Sequence, residues 1–387
     1  MSMTRLELRK FVAPELLFGS GARHLAGRYI RNFGAKSVLL VTDPGVRKTG
    51  VVDEVGADLQ REGIGYEIYS DIKPNPTVEN VMGGAEFFSQ GRCSALIAVG
   101  GGSVIDCAKG IGIVSSENRP ITEFEGVDLI TVPPPPLICI PTTAGSSADV
   151  SQFAIISDSV RRVKIAIISK ALVPDAALID PEPLLTLPPD LTAYTGLDVL
   201  VHAIEAYVSN ASSPLTDLYA LEAIRRICRS LENAVASPCD LSLREETMLA
   251  SMYAGLAFSN ASLGAVHAMA HSLGGYLDLP HGKCNALLLD TVIAYNYSSA
   301  RERYLDIGEA MGIAVRSQPE EKRLPAITGE IRRLRAALGI TETLADLGVT
   351  KSTILLLADN AIKDACMATN PRDPALEEIR VLYESAL

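Results

Sequence analysis

Between residues 37 and 113 the chain repeats one pattern: a short apolar run, a glycine or proline break, then a stretch with helical spacing. Ser37-Val-Leu-Leu-Val-Thr-Asp is the first such run, closed by Pro44-Gly45 and followed by a helical pattern at 51–62. A second run at 65–72 ends in Lys73-Pro-Asn-Pro, and a helix at 77–90 follows with Thr77 as its cap. Ala95-Leu-Ile-Ala-Val then leads straight into Gly100-Gly-Gly-Ser and a helix at 104–113. Runs that are apolar on both faces belong to strands covered by helices on both sides, so the rhythm predicts a doubly wound, mostly parallel sheet in an α/β domain. A strand and glycine turn at 11–21 and a helix at 22–32 precede it. A strand at 137–140, a hairpin at 153–168 and a last strand at 176–180 follow. From residue 186 the spacing is helical to the end, with breaks near Ser212-Ser-Pro, Pro238, Pro280-His-Gly and Asn370-Pro-Arg. The expected division is an α/β domain over 1–187 and an all-helical domain over 188–387.

The helical half holds four of the five histidines. In Gly196-Leu-Asp-Val-Leu-Val-His-Ala-Ile-Glu, Asp198 and His202 lie four residues apart and so share a helix face. Their neighbours are Leu197, Val199, Leu200, Val201 and Ile204, among which an unpaired carboxylate would cost several kcal/mol. His267 and His271 repeat the spacing in a second segment, and Pro280-His-Gly supplies His281. Imidazoles from facing helices with one carboxylate and no thiolate suit Zn or Fe(II) and disfavour Mg and Ca. The spacing leaves open which four of the five groups bind. Glu205 continues the Asp198 face and suits either a direct bond or a hydrogen bond to a ligand histidine.

The turn Gly100-Gly101-Gly102-Ser103 is the second chemical signal. Consecutive glycines let backbone approach a ligand closely, and free N–H groups at the start of the next helix suit a pyrophosphate. The turn is not Gly-x-Gly-x-x-Gly, but it stands at the carboxyl end of a parallel strand, where open sheets bind ligands. Asp43 ends an earlier strand, where it can either accept from an adenosine ribose or cap a turn. Lys164 is a charge among apolar residues of the hairpin. A cation able to stabilise an alkoxide, facing a pyrophosphate turn, points to hydride transfer between a nicotinamide and an alcohol or carbonyl.

Composition narrows the rest. The 387 residues carry a net charge of -11, which disfavours nucleic acid and anionic membranes as partners. No apolar run reaches the eighteen or more residues of a membrane span. The N-terminus lacks the basic-then-apolar order of a signal peptide. Seven cysteines without a Cys-x-x-Cys pair predict free thiols and a cytoplasmic location.

Gly100-Gly-Gly-Ser-Val-Ile-Asp, Pro141-Thr-Thr-Ala-Gly, the Asp198 and His202 segment, His267-Ala-Met-Ala-His-Ser-Leu-Gly and His281-Gly closely resemble the iron-containing, group III alcohol dehydrogenases. The likeness runs from Phe18-Gly-Ser-Gly to Asn370-Pro-Arg. It implies the dehydroquinate synthase-like two-domain fold and an NAD-dependent oxidoreductase for a small primary alcohol, diol or aldehyde. By the resemblance Asp198, His202, His267 and His281 would hold Fe(II), with Zn possible, and His271 would sit beside the metal as a proton relay. Asp43 would contact the ribose and favour NAD over NADP. Asn75 and Gly101 to Asp106, with Gly102 and Ser103 between, would line the pyrophosphate. Thr142, Thr143 and Lys164 would flank the nicotinamide half. Phe153, Phe258 and Cys366 are candidates for the substrate wall, with core packing the simpler account.

One segment departs from the family pattern. Where Ala-Gly-Thr-Gly-Ser-Glu is usual, this chain has Ala144-Gly-Ser-Ser-Ala-Asp149. Three rival readings are a zinc enzyme like glycerol dehydrogenase, a dehydroquinate-synthase-like lyase, and a catalytically idle regulatory relative. The lyase would need a cluster of Lys and Arg for a phosphorylated substrate, and the motifs here lie among apolar residues. A homodimer or higher homo-oligomer is expected, paired through the edge strand near 11–18.

Overall fold

The computed structural model describes residues 8–161 and 163–387. Its strands in chain order are β1 (Glu15–Phe18), β2 (Ser37–Val41), β3 (Gly65–Tyr69), β4 (Ala95–Gly100), β5 (Gly126–Val127), β6 (Leu137–Pro141), β7 (Phe153–Asp158), β8 (Val163–Ile168) and β9 (Ala176–Ile179). Six form one sheet in the order β1-β9-β6-β4-β2-β3, every pairing parallel. The other three form a small sheet in which β7 and β8 are antiparallel and β5 runs parallel to β8.

The helices of this half are α1 (Ala26–Asn32), α2 (Pro44–Arg47), α3 (Val51–Arg61), α4 (Val78–Gln90) and α5 (Gly102–Glu117). The side-chain period of two divides the large sheet between two cores. Val38, Leu40, Ile97, Val99, Ile138 and Ile140 pack against α1 and α3, whereas Leu39, Val41, Leu96, Ala98 and Cys139 pack against α4 and α5. The chain steps from β2 outward to β3, then crosses back to β4 on the other side of β2. That reversal opens a crevice at the carboxyl ends of β2 and β4, where Asp43 and the glycine turn stand.

Two side chains of α5 fix the small sheet. Lys109 is buried, and its Nζ donates to the carbonyls of Ser151 and Phe153, both at 2.8 Å. Asp106 Oδ2 accepts from the Ile155 N–H at 3.2 Å. One oxygen of this carboxylate is thus engaged by β7.

The second half is helical: α6 (Pro189–Val208), α7 (Pro214–Ala236), α8 (Leu241–Ala261), α9 (Ala265–Leu277), α10 (His281–Asn296), α11 (Arg301–Ala310), α12 (Glu320–Ala337), α13 (Lys351–Ala361) and α14 (Leu376–Ser385). From Gly196 to Val208 every residue of α6 is buried, so it forms the axis of the bundle, apolar except along the face of Asp198, His202 and Glu205. Its entry is clamped by the buried Arg244, which donates to Thr192 Oγ1 at 2.7 Å, the Leu187 carbonyl at 3.1 Å and the Pro238 carbonyl at 2.9 Å. Among the described residues no helix is long and apolar enough to cross a membrane.

Local differences from the sequence reading have simple causes. Pro44-Gly45 is the first turn of α2, not a strand-ending turn, because Asp43 Oδ1 accepts from the N–H groups of Gly45 at 2.7 Å and Val46 at 3.0 Å. The strand expected over 65–72 stops at Tyr69, and the helix expected over 104–113 runs from Gly102 to Glu117. The two-residue β5 is too short for any periodicity to reveal.

The approach of α10 to α6 is set by Gly282. A Cβ there would lie 2.1 Å from the Tyr194 carbonyl oxygen and 3.3 Å from Asp198 Cβ. Gly282→Ala is therefore expected to cost about 1–3 kcal/mol of stability by overpacking and to push His281 away from Asp198. Thermal unfolding and the metal content after dialysis should both fall; an unchanged metal content would show that this contact does not set the site.

Candidate metal and cofactor site

Asp198 and His202 project from one face of α6, His267 and His271 from α9, and His281 opens α10. One ligand atom each from Asp198, His267 and His281 lie within 4.8 Å of one another. Asp198 Oδ1 is 3.8 Å from His267 Nε2 and 3.9 Å from His281 Nε2. These separations are too long for hydrogen bonds and match the roughly 3–4 Å expected between two atoms bonded to one ion. His202 stands outside this triple. Its ring stacks on His267 at a centroid distance of 4.6 Å and on Phe258 at 4.3 Å, and its Nδ1 is buried without a partner.

The centre of the cluster is acceptor-rich. Asn285 Nδ2 lies 2.6 Å from Asp198 Oδ1 and 3.2 Å from both His267 Nε2 and His281 Nε2. An amide nitrogen carries two hydrogens and cannot serve three acceptors. His281 Nδ1 and Asn285 Oδ1 are also buried without partners. Burial drives the imidazoles neutral: His202 falls to about 4 and His267 to about 3, in each case against the pull of Asp198, and His281 falls well below its usual value. Neutral imidazoles with inward lone pairs, beside a carboxylate and too few protons, are what a divalent cation requires, so these residues fit one. Asn285 was not singled out in the sequence, although its place four residues after His281 puts both on one helix face.

Glu205 is an outer support, not a member of the cluster. Its Oε2 lies 2.6 Å from His267 Nδ1, and Oε1 accepts from the Val266 N–H at 2.6 Å. The carboxylate thus sits on the N-terminus of α9 and fixes the His267 tautomer that leaves Nε2 bare. Asn370, from the Asn-Pro-Arg segment, shares the capping by accepting from the Ala265 N–H at 3.1 Å. His271 Nδ1 lies 2.9 Å from Asp364 Oδ2, with its ring stacked on His281 at 5.2 Å. Burial pushes the Asp364 carboxyl up, but the neighbouring His271 and the hydrogen bonds from Cys366 together hold it down at about 2. Asp364 lies 93 residues from its partner, and no local pattern links the two.

His271 and Asp364 line a cavity of about 310 Å³ between α9, α13 and β8, together with Lys164, Ala166, Ala268 and Ser272. Two further cations on it are already matched: Arg161 by Asp158 and Glu125, and Lys363 by Asp359. Phe153 and Phe258 face each other at 5.8 Å and are buried, as is Cys366.

On the sheet side, Gly101 is the N-cap of α5, so Gly102 and Ser103 open the helix with unpaired N–H groups. The glycines are needed for packing as well. A Cβ on Gly102 would lie 2.5 Å from Ser146 Oγ, and one on Gly100 2.5 Å from Val104 Cγ2. Thr142 N–H donates to the Gly100 carbonyl at 3.1 Å, and Thr143 lies against Gly101. Asn75 Oδ1 accepts from Lys164 Nζ at 2.8 Å, and burial lowers the Lys164 pKa. Asp43 uses Oδ1 to cap α2, which leaves both readings of it compatible. In the departing loop Ser147 has a φ of 49°. Its Oγ donates to the Ser251 carbonyl at 2.7 Å.

A doubly wound sheet with a glycine turn at its switch point, joined to a helical half with an imidazole and carboxylate centre, defines a two-domain dehydrogenase architecture. Residues 13–181 match the profile of "Iron-containing alcohol dehydrogenase", and residues 192–387 that of "Fe-containing alcohol dehydrogenase family, C-terminal". The chain is 42% identical over 389 residues to alcohol dehydrogenase 4 of Schizosaccharomyces pombe, covering 100% of this chain and 91% of that one. It is 36% identical over 377 residues to an NAD-dependent methanol dehydrogenase of Bacillus methanolicus, covering 97% of this chain and 99% of that one. The crystal structure of a 1,3-propanediol oxidoreductase superposes with a TM-score of 0.95 at 38% identity, over 98% of this chain and 100% of that one. The chain belongs to the iron-containing alcohol dehydrogenase family and is an oxidoreductase of small alcohols and aldehydes.

Glu205→Gln removes the charge that orients His267 while keeping the side-chain shape. Metal retention against a competing chelator is expected to fall about 10–100-fold with helical content unchanged. Parent-like retention would mean that Glu205 serves only as a helix cap.

Proposed function

We propose that the enzyme transfers a hydride between NAD(H) and a small primary alcohol, diol or aldehyde, with Asp198, His202, His267 and His281 holding Fe(II), and Zn the other ion these donors accept. The observation that carries this reading is the proton-poor cluster of neutral imidazoles and one carboxylate in the helical half. When bound, the divalent ion supplies positive charge that eases loss of a hydroxyl proton near neutral pH, and NAD supplies the hydride acceptor.

The chain's own groups do the rest. Asp198 contributes a single negative charge, so a divalent centre keeps a net positive charge. Glu205 holds the His267 proton at Nδ1 and points Nε2 inward. His271, with Nδ1 on Asp364, has Nε2 free to take the proton of the alcohol and pass it to the cavity. Phe258, stacked on His202, keeps water from that side of the cluster. Since Arg161 and Lys363 are matched by carboxylates, the cavity offers a phosphorylated sugar little, which argues against the lyase reading.

Asp43 follows β2 as the cap of α2, at the crevice, where its charge would repel a 2'-phosphate. Asp43→Asn keeps the helix cap and removes that charge. The ratio of kcat/KM for NADP to that for NAD is expected to rise about tenfold or more; an unchanged ratio would place the selection elsewhere.

The proposed division falls at residue 187, and a cytoplasmic setting is supported by the free state of all seven cysteines. β1 stands at the sheet edge, with Phe18 40% exposed, which supports a homodimer or higher homo-oligomer through that edge. One sample of purified protein tests these together. NADH formation from short alcohols and diols, a bound divalent metal and a particle heavier than the 41.2 kDa chain are expected. Metal and NADH bound without turnover of any short alcohol or aldehyde would sink the enzymatic reading, and a monomer by light scattering would sink the oligomer.

A further inference from the structure

Asn75 lies in the Lys73-Pro-Asn-Pro turn with a φ of 58°, a left-handed backbone that asparagine tolerates better than most residues. Its polar groups reach three separate parts of the molecule. The backbone N–H donates to Ser103 Oγ at 3.2 Å, Oδ1 accepts from Lys164 Nζ at 2.8 Å, and Nδ2 donates to Asp278 Oδ1 at 2.8 Å. Ser103 belongs to the glycine turn and Lys164 to β8. Asp278 is the C-cap of α9, the helix that carries His267 and His271, and stands three residues before His281. One amide therefore joins the two halves beside the imidazole cluster, and both ends of that amide are occupied.

The chemistry of the three groups is complementary. Lys164 is desolvated, and Asp278 is among the charges that favour its protonated form. Helix capping does not explain the Asp278 side chain, because the cap is closed by the backbone N–H of Asp278 on the Gly274 carbonyl at 2.9 Å. Asp278 is exposed, with a φ of 53°, a conformation in which Gly and Asn are also at ease. Its carboxylate is thus free to act on the cleft.

We propose that Asp278 is a positioning residue for the nicotinamide cofactor: through Asn75 it holds Lys164 and the Ser103 turn in the receiving arrangement and ties the two halves together over the bound molecule. This rests on the reading that NAD occupies the crevice. A carboxylate oxygen at position 278 fixes the orientation of the Asn75 amide, since the amide must turn Nδ2 toward it and Oδ1 toward Lys164. Without that oxygen Lys164 alone holds the amide, its Nδ2 end is left loose, and the contact between the halves at this point is lost.

Two variants separate positioning from backbone strain. Asp278→Gly removes the acceptor without straining the left-handed residue, and Asp278→Asn keeps an oxygen acceptor and tolerates the same backbone. In stopped-flow fluorescence NADH is expected to leave Asp278→Gly about tenfold faster than the parent, and Asp278→Asn within about twofold of it. In cofactor-free protein, amide hydrogen exchange over residues 73–78 is expected to rise in the glycine variant alone. A parent-like release rate with unchanged exchange in Asp278→Gly, or a lowered melting temperature with neither change, overturns the proposal. So does an asparagine variant as fast as the glycine one. If the parent fails to bind NADH, the cofactor reading itself falls, and the exchange measurement still decides whether Asp278 holds Asn75.

Discussion

A shortage of protons at the centre of the helical half governs much of what surrounds it. Asp198, His267 and His281 bring three acceptors to one amide nitrogen of Asn285, with Asp198, His267 and Asn285 all buried. A buried acceptor left unsatisfied costs about 1–3 kcal/mol, and more when charged. The axial helix α6 therefore carries a polar face inside an apolar bundle that packing alone would disfavour, and a cation is the economical remedy. Everything that orients those acceptors works against local stability unless the ion is present, which couples metal loading to the rigidity of the bundle.

The arrangement depends on backbone approaches that only glycine permits. Gly282 brings α10 against the Tyr194 carbonyl, and a Cβ on Gly264 would lie 3.0 Å from Glu205 Oε1. A Cβ on Gly145 would lie 2.6 Å from Thr195 Cβ, so the loop after β6 in the sheet half touches α6 just ahead of Asp198. Glycines that look like breaks in a sequence are here the points where α6, α9, α10 and the nucleotide-side loops are drawn together. The distance between the imidazole cluster and the glycine turn is fixed by those contacts.

How much of this was legible depended on the range of the interaction. The alternation of β2, α3, β3, α4 and β4 was readable because each element carries its own period, and the two-faced burial of Val38 to Val41 follows from composition alone. Asp198 and His202, or His267 and His271, were readable because a helix turn puts them together. Asp364 was not, since nothing local links it to His271, and only the packing of α13 against α9 does so. The resemblance sets Asp106 along the pyrophosphate, and no local pattern shows that its Oδ2 also accepts from the Ile155 N–H of β7. Asp278 was invisible for the same reason as Asp364: its partner Asn75 is 203 residues away.

The loop that departs from the family pattern shows how a local rule is broken and balanced. Ser147 takes a left-handed φ at a position where the family has glycine, at a cost of about 1–2 kcal/mol for a residue with a Cβ. The side chain that causes the strain also offsets it, because Ser147 Oγ donates to the buried Ser251 carbonyl at 2.7 Å and lies 3.1 Å from Ser251 Oγ. Space for it comes from Gly255, where a Cβ would lie 2.5 Å from Ser147 Cβ. Two residues on, the shorter Asp149 is buried, its carboxyl pushed up to about 6 by desolvation and pulled back by Lys109. Lys109 in turn holds the backbone that leads into β7. The four changed positions are thus tied to α8 on one side and α5 on the other, and Ser146 keeps its contact with Gly102. The substitution alters the internal bonding of the loop while leaving in place the surface it presents to the glycine turn.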